Sequence, residues 1–165
     1  MEFRLIQFNG NRDLRCSLNL LTDGLQFSFE VPQARELIWP NYESIRRADN
    51  LWLSTCFELF LADESQSGYT EFNVSPSGAW NCYRFDDYRH GMQPSPCWQL
   101  TELERDDGMV TASFSGELNA GLVRLGPAAI LQNTASKIEH FGLSHGHQPD
   151  FHDSSRHVLM STDDL

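Results

Sequence analysis

In residues 51–89 the sequence reads LWLSTCFELFLADESQSGYTEFNVSPSGAWNCYRFDDYR, and carboxylates, amides and aromatics recur in it at alternate positions. On a strand, side chains two apart share a face. Residues 55–62 therefore send Phe57, Leu59 and Leu61 to one side and Cys56, Glu58 and Phe60 to the other. Residues 69–75 send Phe72 and Val74 inward and Glu71, Asn73 and Ser75 outward. Trp52 has the parity of Glu58, at the entrance to its strand. Carboxylates accept paired hydroxyl hydrogens, amides donate and accept, and aromatic rings offer a flat apolar surface. Glu58, Glu71, Asn73, Asn81 and Tyr83 beside Trp52 match the hydroxyl edge and C–H face of a sugar ring.

One turn sets the register of this patch. Ser75-Pro76-Ser77-Gly78 has Pro where a type I turn takes it and Gly where positive φ is needed, as in a three-residue hairpin with a glycine bulge. With Ser75 opposite Ala79, Asn73 faces Asn81, Glu71 faces Tyr83, Val74 meets Trp80 and Phe72 meets Cys82. A two-residue loop would oppose Asn73 to Trp80 and Glu71 to Cys82, mixing polar with apolar faces.

The rest of the chain supplies strands around that hairpin. Residues 24–31 alternate Leu25, Phe27, Phe29 and Val31 with Gln26, Ser28 and Glu30, a half-buried strand. Further strands are expected at 2–8, 14–20, 98–104, 109–115, 128–134, 138–144 and 157–160. The total is about ten, the pattern of an all-β, antiparallel, jelly-roll-like β-sandwich. A helical turn or two is expected only within 116–126, between two glycines. Residues 32–50 read as an irregular crossover, with Arg46-Arg47-Ala48-Asp49 an exposed loop. No internal repeat or linker divides residues 1–165, so one domain is expected.

Composition narrows the partners. Twelve Lys and Arg against 23 Asp and Glu give a net charge of −11, which repels nucleic acid and anionic membranes. No apolar run is long enough to span a bilayer, and Glu2 and Arg4 interrupt the first stretch before it reaches the length of a signal-peptide core. A cytoplasmic location is the expectation. Cys16, Cys56, Cys82 and Cys97 form no C-x-x-C pair and are expected as reduced thiols.

At LWLSTCFELF, at EFNVSPSG followed by NCYRFDDYR, and at FGLSHGHQPDFHD, the sequence resembles DOMON-like domains related to family 9 carbohydrate-binding modules, over residues 51–157. The resemblance implies a β-sandwich whose concave side takes the ligand, with Trp52 and Glu58 at the sugar. It also implies a second aromatic near the C-terminal end. No Trp follows Trp98, and Phe151 or His152 stands in approximate position. Other DOMON domains resemble this chain and bind haem through Met and His, for which Met92, Met109 and the six His would be the source.

The expectation is a non-catalytic domain that binds a small molecule or oligosaccharide and needs no cofactor. Trp52 is the platform, the five polar residues form the floor, and the 145–152 loop, with His145, Phe151 and His152, forms the rim. Three rivals remain. Glu58 and Glu71 could act as the carboxyl pair of a glycan hydrolase or lyase if about 5–9 Å apart. His145, His147 and His152 with Asp150 or Asp153 could hold a metal ion. A flat patch rimmed by apolar side chains would instead dock a protein.

Overall fold

The computed structural model describes residues 1–165. Alternating apolar side chains make strands of most of the chain: β1 (Glu2–Gln7), β2 (Asp13–Leu21), β3 (Gly24–Glu30), β4 (Arg46–Arg47), β5 (Cys56–Asp63), β6 (Tyr69–Val74) and β7 (Ala79–Phe85). Beyond them lie β8 (Gln93–Pro94), β9 (Gln99–Asp106), β10 (Met109–Ser115), β11 (Leu122–Gln132), β12 (Ile138–Gly142) and β13 (Val158–Ser161).

These strands form one continuous sheet in the order β4-β7-β6-β5-β11-β12-β1-β2-β3-β10-β9, with β13 on β11 and β8 on β7. Pairing is antiparallel except where β4 lies parallel to β7. The sheet curls until its halves face each other. Phe27 of β3 and Phe114 of β10 pack against Phe72 of β6, and Phe29 packs against Phe57 of β5 at 4.9 Å between ring centres. This core between two facing layers is the β-sandwich. The all-β expectation stands.

The hairpin of β6 and β7 has the register that its turn implies: Glu71 opposes Tyr83, Phe72 opposes Cys82, Asn73 opposes Asn81 and Val74 opposes Trp80. Ser75 N donates to Ala79 O at 2.8 Å, and Gly78 adopts φ +95°. A Cβ at Gly78 would lie 2.5 Å from Ser44 O, so strain and collision both oppose a side chain there. Gly78→Ala is expected to lower stability by about 1–3 kcal/mol in urea denaturation. An unchanged midpoint would show that the turn re-forms without cost.

Two expectations fail, each for a physical reason. Residues 116–126 form no helix. Their second half opens β11, where Val123 and Leu125 are buried while Leu122 is exposed, an alternation of period two. Pro127 sits where β11 changes partner, between Leu125, opposite Val158 of β13, and Ala128, opposite Gly142 of β12. A missing N–H costs little at such a switch. The charged run near residue 47 is likewise not a free loop. The Arg47 guanidinium donates to Asn81 Oδ1, Ser95 O and Trp98 O and lies 4.2 Å from the Trp80 ring centre.

Candidate functional site

The face of β5, β6 and β7 turned away from the core is not open to water. Glu58 and Glu71 are 3% and 4% exposed, and Phe60 and Phe85 beside them are buried. Connections from three parts of the chain roof this face and leave a cavity of about 340 Å³. Its floor is Glu58, Phe60, Glu71 and Phe85, with Ile130 of β11 and His140 of β12 at one side. Trp52 comes from the 3-10 turn Leu51–Leu53, Arg89 and Met92 from the connection after β7, and Pro149, Phe151 and His152 from the connection after β12.

The register places the two carboxyls. Glu58 opposes Asn73 and Phe60 opposes Glu71, so Glu58 and Glu71 are diagonal neighbours on one face. Diagonal side chains of this kind stand about 7–8 Å apart at their backbones. Asn73 is wholly buried and does not line this cavity. It donates to Glu71 Oε1 at 2.6 Å and accepts from the Cys56 thiol at 3.5 Å. Its role is to fix one oxygen of Glu71 and leave the other free.

Burial first, and then the charge of Glu71, push the Glu58 carboxyl well above the ordinary carboxylate range. Burial also pushes Glu71 up to about 7, while the Asn73 amide and the Arg89 guanidinium oppose the rise. Neither carboxyl has a Lys or Arg within ion-pair distance. Arg89 instead meets Asp150 Oδ1 at 3.0 Å. Tyr88 and the His152 backbone N–H also donate to Asp150, so this one carboxylate ties the connection after β7 to the connection after β12.

His152 is neutral, since burial and the nearby Arg89 charge lower it to about 4. Its Nδ1 lies 2.6 Å from the Tyr69 hydroxyl, which already accepts from Arg89 N. Burial raises Tyr69 to about 12, so the hydroxyl keeps its proton and donates it to Nδ1. The remaining ring proton then sits on Nε2, 3.8 Å from Glu71 Oε2. The imidazole thus presents a donor to the cavity.

Trp52, Glu58, Glu71, Phe151 and His152 of the expected site come together here. Asn81 and Tyr83 do not line the cavity. The segment around β4 covers them: Asn81 Nδ2 donates to Asp49 Oδ1 at 3.0 Å, and Tyr83 OH donates to the same oxygen at 2.6 Å. Trp52 meets the Tyr83 ring edge-on at 6.1 Å, so Tyr83 supports the platform from behind. His145 also lies outside the lining, with Nε2 held 2.7 Å from Ile6 O. His145 and His152 are thus tied to different elements and do not converge on a common point with His147.

Sequence reasoning left Phe60, Phe85, Arg89, Met92, Ile130, His140 and Pro149 out of the carbohydrate site, though Phe60 was placed on the face of Glu58 and Met92 and the His were weighed as haem ligands. Phe60 shares the parity of Glu58, and Phe85 that of Tyr83, so the alternation that located the polar residues also marked these two. The others arrive through long-range packing and leave no local signal.

No protein-family model matches the chain, and no curated protein matches it either. Solved structures do. A protein of Bacteroides uniformis ATCC 8492 proposed to bind carbohydrate superposes with a TM-score of 0.69, over 98% of this chain and 85% of its own, at 9% identity. The likeness is one of fold. A family 9 carbohydrate-binding module from Caldicellulosiruptor kristjanssonii, solved with cellotriose, aligns over 95% of this chain and 76% of its own, at 9% identity and a TM-score of 0.49. The β-sandwich architecture expected from the alternating strands is therefore shared with the Bacteroides protein almost from end to end.

Proposed function

We propose that the cavity binds a carbohydrate and leaves it chemically unchanged. The observation that carries this reading is the meeting of two aromatic walls, Trp52 and Phe151, above a floor of convergent polar groups in one cavity of about 340 Å³. Cavities of about 300–1,000 Å³ suit small ligands, and one or two sugar rings fall in that class. The walls take the C–H face of the ring. Glu58, Glu71 and the His152 Nε2–H take its hydroxyls. The shared fold with a protein proposed to bind carbohydrate agrees with this assignment.

Calorimetric titration with a panel of mono- and oligosaccharides tests the reading. Trp52→Ala is expected to weaken the best ligand at least about tenfold, because a stacked aromatic contact contributes on the order of 1 kcal/mol beyond its buried area. No binding at millimolar sugar, or wild-type affinity in both Trp52→Ala and Glu58→Gln, removes this function.

A second reading, a glycan hydrolase or lyase, is favoured by the burial of two carboxyls in one cavity, both displaced upward. Such displacement suits a general acid. Glu58 would carry the proton and Glu71 the opposing base. Release of new reducing ends from an oligosaccharide panel, lost in Glu58→Gln, would establish it over the binding reading.

A further inference from the structure

The cavity holds two nearly inaccessible carboxyls and no cation of its own to answer them. The one guanidinium in the lining, Arg89, is already matched by Asp150. The nearby imidazole, His152, stands 3.8 Å from Glu71 and is neutral. Within the protein, Glu71 is held by the Asn73 amide through one oxygen only, and Glu58 has the Cys56 thiol as its polar neighbour. Around them stand Trp52, Phe60 and Phe85, three rings facing the same space.

Resting on the carbohydrate reading, we propose that the ligand is an amino sugar with a free amine, whose ammonium group sits between Glu58 and Glu71. An ammonium offers three donors and no acceptor, the complement of carboxylates with unused lone pairs. Aromatic faces add attraction for a cation out of bulk water. The hydroxyls of a neutral sugar would donate to the carboxyls but bring no positive charge to them. In the free protein they meet the cost of burial by holding protons, and the upward displacement of both agrees with this. A cation in the cavity reverses the balance, so binding expels protons. The other groups that face the pair are Cys56 below, Arg89 and His140 in the lining, and His152 with Tyr69 behind it.

The test is calorimetric titration of the whole chain at pH 7 with glucosamine, glucose, N-acetylglucosamine and cyclohexylamine. It is run in two buffers of different ionisation enthalpy. Glucosamine is expected to bind at least about tenfold tighter than the other three, through charge-assisted hydrogen bonds that only it can combine with a sugar ring. Its heat is expected to differ between buffers by the equivalent of about one proton released. Glu58→Gln and Glu71→Gln, nearly isosteric and checked for folding by thermal melting, should abolish both the preference and the proton release.

Glucose or N-acetylglucosamine binding as tightly as glucosamine overturns the ammonium assignment and leaves the carbohydrate reading standing. Cyclohexylamine binding as tightly overturns the amino-sugar assignment and the carbohydrate reading together. Failure of all four to bind overturns the amino-sugar assignment. A preference for glucosamine that survives both substitutions overturns the placement of the ammonium between the two carboxyls.

Discussion

Glu71→Gln is expected to gain about 3 kcal/mol of stability at pH 8 over the native chain and nothing at pH 4. Folding displaces this carboxyl from 4.5 to about 7, and at about 1.4 kcal/mol per pH unit the difference gives that figure. The sign follows from proton counting. Below about pH 4.5 the group is protonated in both folded and unfolded chains and contributes nothing. As pH rises toward 7 the unfolded chain releases its proton first, so stability falls, and above 7 the loss is constant. Glutamine has no proton to lose and still accepts from Asn73. Urea denaturation at pH 4, 6 and 8 measures the effect, and equal stabilities of variant and native chain at pH 8 would refute a raised Glu71.

His152 acts in the opposite sense. Its folded value of about 4 lies below the ordinary 6.5, so it contributes stability that is complete above 6.5 and lost as pH falls toward 4. Between about 4.5 and 6.5 this slope opposes those of Glu71 and of Glu58, which burial also raises. Removing the Glu71 slope leaves those of Glu58 and His152, so the stability of the variant is expected to change with pH more positively than that of the native chain, by about 1.4 kcal/mol per pH unit across the same interval.

Phe72→Ala is expected to cost about 3–5 kcal/mol. Phe72 is fully buried between the two layers, 4.9 Å from Phe114 and 5.1 Å from Trp98 between ring centres. Phe114 lies on β10 and Trp98 just before β9, on separate segments that cannot both close on the void. Leu53, 71% exposed at the end of the Trp52 turn, provides the contrast, since its replacement by Ala should change stability by no more than about 0.5 kcal/mol. Thermal or denaturant unfolding separates the two. Equal losses at both positions would mean that the facing layers are not the core.

The parts of the fold visible in the sequence are those that local chemistry decides. Pro76-Ser77-Gly78 determines its own turn, and the turn determines six pairings of β6 with β7. Period-two alternation likewise located β3 and β10, whose pairing runs from Met109 opposite Glu30 to Ser115 opposite Gly24. The same reasoning misread β11, because Gly126-Pro127 looks like a break until its partners are known. Gly126 is needed there because a Cβ would lie 2.2 Å from the His157 ring. That contact joins positions 31 residues apart in sequence (157 minus 126), and no local pattern announces it.

For the site, strand parity brought Glu58 and Glu71 to one face but could not say which parts of that face would be covered. A two-residue strand, β4, buries the end at Asn81 and Tyr83. The Asp150 links to Tyr88 and Arg89 roof the other end, and the cavity lies between. Arg47 and Asp150 decide the outcome, and both sit in segments that read as plain polar loop.

Because the sheet is one continuous curl, it has few places where a foreign strand could add. One is the outer rim of β9, which pairs only with β10. Thr101, Glu102, Glu104, Arg105 and Asp106 stand exposed along it, with Leu100 and Leu103 turned partly inward. A second copy aligned there parallel and in register would set Glu102, Glu104 and Asp106 each against its own kind, with no exposed apolar strip to compensate. In-register parallel stacking, the arrangement of a fibril, is thus opposed by charge at the last strand of the curl, the one farthest along the sheet from the cavity.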